Sequence, residues 1–286
     1  MTELDKTLTA VDRSVVKLLT QIADLAWIKI GDKPATCGYR LHTQFEVLRG
    51  LPNRIDATSA NPKGDNDERA VLARTLQPDR FYVMDRGYIK RELFNQIVQI
   101  LQVGSSYACR MRDKLPYEFV EQRPLSDQDK QAGVLSDEVV KLPAGKKTTP
   151  LDHPVRLVSV ECSPHTSRGR YQGGRYYSTA PSSDGVLRIL TSDLDLPAEL
   201  IALMYQYRWI IEIFFRMIKQ MLGCGHLLST KANGVTIQVY CAIIACMLIM
   251  LSTGAQPRKR TFEMVCFSIC GWASLKELEE HIKKLK

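Results

Sequence analysis

Paired cysteines are the first thing this sequence lacks. Eight cysteines are present (Cys37, Cys109, Cys162, Cys224, Cys241, Cys246, Cys266 and Cys270), yet none forms a C-x-x-C pair. Most sit in apolar runs such as YACRM and CAIIACMLIM, where a free thiol packs as a small hydrophobe. Cys162-x-x-His165 and Cys224-x-His226 have the spacing of zinc half-sites, but no second half follows either, which argues against a structural zinc. Long apolar runs are also missing. The longest, Val239 to Leu251, has 13 residues, too few to span a bilayer and suited to a buried helix. The opening MTELDKTLTAVDR lacks the apolar core of a secretory signal. These absences favour a reducing cytoplasmic compartment and no membrane partner. No internal repeat or long low-complexity tract appears.

What is present is an ordinary globular composition with a basic balance. The 286 residues are 45% hydrophobic and 24% charged, enough for one large domain or one domain with a sizeable insertion. The net charge of +8 favours a polyanionic partner, of which nucleic acid is the commonest.

Strand and helix patterns then alternate. LTAVDRSVV (8–16) reads as a strand carrying one acid, and the first half of VVKLLTQIADLAWIKI (15–30) has helical spacing. GYRLHTQFEVL (38–48) alternates as a strand, with a weaker one at NRIDATSA (53–60). DNDERAVLARTL (65–76) starts with acids and continues at helical period. DRFYVMDRGY (79–88) is an apolar strand ending at Asp85, with Gly87 expected to let the chain turn. IKRELFNQIVQIL (89–101) is an amphipathic helix and SSYACRMR (105–112) another strand. The order implies an α/β domain with a mixed sheet.

From 113 to 190 helical period fades and loop-formers dominate. Strands are expected at 155–162, 174–179 and 185–192. Between 141 and 188 there are eight Lys/Arg against three Asp/Glu, with Tyr171, Tyr176 and Tyr177 interleaved among Arg168, Arg170 and Arg175. Cations beside aromatics suit single-stranded or distorted nucleic acid; a solvated loop explains the pattern equally well. Beyond 197 the chain reads as helical: one helix from Pro197 to about Leu222, one over roughly 234–252, one from near Arg260, and a last one opened by the capping box SLKE (274–277).

The stretch YQYRWIIEIFFRMIK (205–219) carries the most specific pattern. At 100° per residue, with Tyr205 at zero, Arg208 falls at about 300°, Glu212 at about 340° and Lys219 at about 320°. These four share one stripe, and Arg216 lies at its edge. An exposed chain of i,i+3 and i,i+4 ion pairs would be the bland explanation. The apolar flanks point instead to a crevice, where a carboxylate beside cations suits a metal ligand next to a phosphate surface. Two-metal phosphoryl transfer needs further carboxylates. Asp85, at its strand end, is the second candidate. Asp12 and Asp56 compete for the third place; Asp56 lies too close to Asp85 to leave room for two further strands, so Asp12 is preferred.

With these residues in place, the sequence resembles the DDE transposases of the insertion-sequence-four class, which carry a Tyr-x2-Arg-x3-Glu-x6-Lys signature. Here it is Tyr205, Arg208, Glu212 and Lys219, with every gap matching. VMDRGY is similar to the family's second-aspartate motif, and RLHTQFEVLRGLP, SSYACRMRD and MLGCGHLLSTKANGVTIQVYCAIIACMLI resemble its other conserved stretches. The resemblance implies a ribonuclease-H-like α/β fold. The catalytic domain would begin in 1–112 and resume in 191–254, around a β-rich insertion over 113–190 that helps distort DNA ends, with a helical segment at 255–286. It implies that Asp12, Asp85 and Glu212 bind two Mg²⁺ ions, with Mn²⁺ able to substitute. Tyr205 and Arg208 would hold phosphates near the 5′ end, Lys219 would neutralise the backbone further along, and Arg216 would join this DNA-binding face. The implied partners are double-stranded DNA with terminal inverted repeats, target DNA, and a second protomer in a synaptic complex. The implied setting is the bacterial cytoplasm, at the nucleoid.

The chain departs from the pattern in four places. Asp12 is followed by Arg13-Ser14 where the family has Gly and then Ser or Thr. Gly223-Cys224-Gly225-His226 replaces a Gly-Cys-Arg-His motif. Only eleven residues precede Asp12, where relatives carry a helical DNA-binding segment, so an N-terminally truncated copy is expected. None of Trp27, Trp209 and Trp272 lies in the insertion, which leaves Tyr176 or Tyr177 to stack on a flipped base. A catalytically inactive remnant that only binds DNA, and a ribonuclease-H-like nuclease, stand as alternatives.

Overall fold

A computed structural model describes residues 5–17, 27–28, 36–59, 64–99, 104–112, 115–143, 149–162, 170–172, 175–177, 185–221, 232–254 and 259–284. The elements in chain order are β1 (Thr7–Lys17), β2 (Trp27–Ile28), β3 (Thr36–Glu46), β4 (Leu51–Ser59), α1 (Glu68–Arg74), β5 (Arg80–Met84), α2 (Arg91–Gln99) and β6 (Ser106–Arg110). Then come β7 (Glu118–Gln122), α3 (Asp127–Gln131), β8 (Val134–Lys141), β9 (Val155–Glu161), β10 (Arg170–Gln172), β11 (Arg175–Tyr177) and β12 (Val186–Thr191). The rest is helical: α4 (Ala198–Tyr207), α5 (Trp209–Met221), α6 (Ala232–Thr253), α7 (Lys259–Ile269) and α8 (Leu275–Lys283).

A ten-stranded mixed sheet runs in the order β2-β3-β1-β5-β6-β12-β9-β8-β7, with β4 paired to β3. β1, β5 and β6 are mutually parallel neighbours, while β12, β9, β8 and β7 continue antiparallel. This is the mixed α/β, ribonuclease-H-like arrangement expected from the sequence. Two compact units divide the chain. One comprises Met1–Asp12, His42–Ile55 and Lys63–Ile210; the other comprises Arg13–Leu41, Asp56–Pro62 and Ile211–Lys286.

In the first unit, β5 is central because Phe81, Tyr82, Val83 and Met84 are apolar on both faces, and all four are fully buried, as parallel strands covered on both sides require. α1 and α2 supply Leu72, Leu93, Phe94 and Ile97 to a core with Val11, Tyr82, Met84, Tyr88 and Tyr107. Phe94 stacks on Tyr107 with ring centroids 4.1 Å apart. Asp67 caps α1 by accepting the Arg69 N–H, which satisfies one otherwise orphaned donor.

Several expectations need correction. Val15 and Val16, read above both as the end of a strand and as the start of a helical segment, belong with Lys17 to β1, and Trp27–Ile28 at the other end of that segment is a strand; the stretch between lies outside the described residues. Gly87 does not have a positive φ. It sits inside a short 3₁₀ turn, Arg86–Tyr88, so no left-handed conformation demands it. The single helix from Pro197 is two, α4 and α5, parted at Arg208, whose N–H reaches back to the Tyr205 carbonyl at 3.1 Å. That i→i−3 bond tightens the turn and interrupts the regular ladder. Strands β7 and β8 and the short helix α3 were not expected.

The antiparallel half of the sheet carries the start of α4. Arg156 on β9 is 1% exposed. Its Nε and Nη2 donate to the two carboxylate oxygens of Asp137 on β8, each at 2.7 Å, and its Nη1 donates to the Leu196 carbonyl at 2.6 Å. α3 is closed by a capping box between Ser126 and Asp129, and the Asp129 carboxylate also accepts the Glu199 N–H at 2.9 Å. Burial opposes ionisation of Asp129, but side-chain hydrogen bonds with Glu199 and Ser126 prevail and hold its pKa at about 2. The same side-chain bond, reinforced by burial, raises the Glu199 carboxyl.

The two signs differ. Asp129, depressed, contributes stability above its unfolded value near ~3.9 that is lost as pH falls through about 2. Glu199, raised, contributes stability below its unfolded value near ~4.3 that is lost as pH rises through its folded pKa. The pair therefore holds α3 to α4 best in mild acid. Glu199→Gln keeps a donor at every pH, so its melting temperature should fall less between about pH 4.5 and pH 7.5 than that of the unsubstituted protein. Equal slopes would show that the carboxyl pair does not couple α3 to α4.

Candidate active site

The parallel register of β1 and β5 pairs Val11 with Met84. The next residues along each strand are Asp12 and Asp85, so two carboxylates emerge side by side within the first unit. Asp85 lies just past the carboxyl end of β5, where ligands in open α/β sheets gather, while Asp12 lies midway along β1. Both side chains are half-buried. Asp85 occupies the cap position of the 3₁₀ turn, yet its carboxylate makes no capping hydrogen bond; its carbonyl instead accepts the Tyr88 N–H at 3.0 Å. Asp56 stands on β4, on the far side of β3 from β1.

Arg208 meets Asp12. Its Nη1 lies 3.5 Å from Asp12 Oδ2, and its guanidinium stands 5.7 Å from the centroid of the Tyr205 ring, within range of a cation–π contact. Tyr205 is 7% exposed, and its hydroxyl has no hydrogen-bond partner among the described residues. Burial pushes its phenol well up; the Arg208 cation partly offsets this and the Asp85 charge adds to it. Tyr205 therefore stays a neutral donor, and no described residue accepts from its hydroxyl. Cys109 on β6 donates its thiol to the Asp85 carbonyl at 3.4 Å. Burial and the Asp85 charge both raise the thiol, so it is an inert neighbour rather than a nucleophile.

Sequence reasoning passed over the cations of β6. Met84 pairs with Cys109, which sets Arg110 at the position level with Asp85. Arg112 follows, donating from Nε to the Arg86 carbonyl at 3.2 Å. The readable signal was there: an acid ending one strand, and RMR ending the next.

Glu212, Arg216 and Lys219 belong to the second unit. On α5, Ile211, Phe214, Phe215 and Ile218 are buried, while Glu212 and Lys219 are half-buried and Arg216 is exposed. The spacing i, i+4, i+7 keeps the three on one face. Trp209, at the start of the same helix, is 53% exposed. Tyr171, Tyr176 and Tyr177 lie on the small β10–β11 hairpin, whose side chains are outside the described set, as are Arg168, His165 and the Cys224–His226 pair.

Two registered carboxylates are hard oxygen donors and suit Mg²⁺ or Mn²⁺, which need further oxygen ligands to complete a site. Among the described residues no three His, Cys, Asp or Glu side chains form a ready metal cluster, and no helix is long and apolar enough to cross a membrane.

Residues 3–248 match a family described as the transposase DDE domain. Over 216 residues the chain is 24% identical to "Putative transposase y4zB" of Sinorhizobium fredii, covering 75% of this chain and 53% of that protein. Over 213 residues it is 27% identical to "Probable transposase for insertion sequence element IS5377" of Geobacillus stearothermophilus, covering 74% and 48%. The chain thus spans about half the length of these curated relatives. A solved piggyBac transposase synaptic complex with hairpin DNA overlaps 98% of this chain and 57% of its own at TM-score 0.46 and 12% identity, too loose a likeness to bear on mechanism. With the family match running through nearly all of the sheet and helices that carry Asp12, Asp85, Tyr205 and Arg208, the chain belongs to the transposase DDE domain family.

Proposed function

We propose that this protein is a DNA transposase acting by metal-dependent phosphoryl transfer, with Asp12, Asp85 and Glu212 as the metal-binding carboxylates. The observation that carries the proposal is the β1–β5 register, which brings Asp12 and Asp85 out together beside Arg208 and Tyr205. Divalent ions bound by such carboxylates supply activation of a water or a DNA 3′-hydroxyl and stabilisation of the leaving oxygen. The protein's own residues do the positioning. Tyr205, with its buried neutral hydroxyl, and Arg208 would grip a phosphate next to the scissile bond. Arg216 and Lys219 would neutralise backbone charge further along. The finer sequence of events is nicking at terminal inverted repeats, hairpin formation and reopening, then joining to target DNA by paired protomers in the bacterial cytoplasm. The test is cleavage of a matched transposon end in Mg²⁺, comparing the unsubstituted protein with Glu212→Gln. A loss of three orders of magnitude or so is expected for removing a metal ligand; equal activity would remove Glu212 from the site.

The Asp12–Arg208 contact favours a second reading, because it places a cation on a carboxylate that a metal ligand must offer. In that reading the chain binds DNA without cutting it. Salt-dependent binding to end DNA with no nicking in Mg²⁺ or Mn²⁺ would select it.

A further inference from the structure

Other elements fix the start of α4. Pro197, at its cap position, makes no side-chain hydrogen bond. The Asp129 carboxylate accepts the Glu199 N–H at 2.9 Å. Asp193 Oδ1 accepts the N–H groups of Asp195 at 3.1 Å and Leu196 at 2.9 Å. Arg156 Nη1 donates to the Leu196 carbonyl at 2.6 Å and, at 3.4 Å, to that of Asp193. All of these groups belong to the first unit.

Stability alone does not account for the Arg156–Asp137 pair. Burying two charges costs so much desolvation that apolar residues of similar volume often replace such a pair without loss. What an apolar replacement cannot do is hold a carbonyl. Ala198, Ile201 and Met204 bury one face of α4, but apolar packing is not directional and sets a helix's place on a sheet less sharply than a hydrogen bond does. α4 carries Tyr205 and, at its end, Arg208. Tyr205 lies eight residues beyond Pro197, about 12 Å along the axis. A tilt of about 5° at the first turn moves it by about 1 Å, and a misplacement of that size costs about 100-fold in rate.

We infer that Arg156 and Asp137 are positioning residues for the phosphate grip: through Leu196 they set the start of α4, and so the place of Tyr205 and Arg208. The inference rests on the reading of Tyr205 and Arg208 as that grip. It gives β8 and β9 a task of their own, as the mount of the helix that carries it.

The test compares the unsubstituted full chain with Arg156→Met/Asp137→Leu, which removes the hold on Leu196 and leaves neither partner as a lone buried charge. Both are bound to a matched transposon end and mapped by ethylation interference. The double variant should lose the phosphate contact that also drops out in Tyr205→Phe/Arg208→Gln, although the Arg156 and Asp137 side chains, 2% and 4% exposed, are too buried to reach DNA themselves. Affinity for the end should stay within about threefold, since the remaining backbone contacts are kept. Cleavage at saturating DNA in Mg²⁺ should fall by about 30–100-fold. In the Tyr205→Phe/Arg208→Gln background the same double change should cost under about threefold more, because the grip it positions is already gone; a role in folding alone would cost the full factor again. The interference pattern needs binding only, so it decides the matter for a chain that does not cut as well. A phosphate contact retained in the double variant overturns the inference and leaves the site reading intact. If no contact drops out in Tyr205→Phe/Arg208→Gln, the site reading itself fails and the inference with it. Should the double variant not fold, as circular dichroism reports, Arg156→Lys carries the test. It keeps a cation on Asp137 but lacks the fork that also holds Leu196, so the same contact should weaken and cleavage fall by about tenfold; no change in either overturns the inference.

Discussion

Asp85→Asn should abolish end cleavage while leaving the fold and DNA binding in place. The substitution keeps the shape of the side chain and removes its charge. Asp85 makes no capping bond with that carboxylate, so the 3₁₀ turn after β5 does not depend on it. Its backbone carbonyl keeps the Tyr88 N–H and the Cys109 thiol. The expected loss is at least about 10³-fold in cleavage rate, on the scale seen when a preorganised charge-stabilising group is removed from a phosphoryl-transfer site. Binding to end DNA should hold or rise slightly, because one negative charge level with Arg110 is gone. A gel-shift titration and a nicking assay on one preparation separate these outcomes. Nicking within tenfold of the unsubstituted protein would show that Asp85 is not a ligand.

Arg156→Met should be the most damaging single change outside that site. Arg156 and Asp137 form a bidentate pair whose side chains are 2% and 4% exposed, and Arg156 also holds the Leu196 carbonyl ahead of α4. Removing the cation leaves a buried carboxylate with Arg123, 3.6 Å away, as its remaining ion-pair partner. The cost of breaking such a pair is about 3–5 kcal/mol, which for a unit of this size lowers the melting temperature by about 6–20 °C. Asp137→Leu alone should cost a similar amount by stranding Arg156. The double change Arg156→Met/Asp137→Leu should recover most of the loss, because neither charge is then left unpaired. If the double variant is as unstable as the two singles added together, the pair is not coupled.

These two predictions rest on features that differed in how far the sequence showed them. The position of Asp85 at a strand end was legible because FYVM is a continuous apolar run that fits a buried strand, and its end is marked by an acid and a turn. The strand around Asp12 was legible because β-branched residues surround it. The register joining them is a long-range pairing, and no local pattern reports it. The Arg156–Asp137 pair was invisible for the same reason, since its partners lie 19 residues apart on strands of which β8 was not foreseen. β7 was missed because EFVEQ is exposed on both faces, so no burial period marks it. The break at Arg208 has no proline or glycine to announce it. It comes from one backbone bond to Tyr205, and it means that the stripe drawn through Tyr205, Arg208, Glu212 and Lys219 on one continuous helix was an idealisation.

Anomalous diffraction from crystals of the protein soaked in Mn²⁺ tests the central claim most directly. The account predicts a Mn²⁺ peak bonded to Asp12, Asp85 and Glu212 at the short distances of a hard cation on carboxylates, about 2.0–2.3 Å, and its disappearance in Asp85→Asn crystals. A Mn²⁺ peak bonded to other residues, or one that persists unchanged in the Asp85→Asn protein, would contradict it.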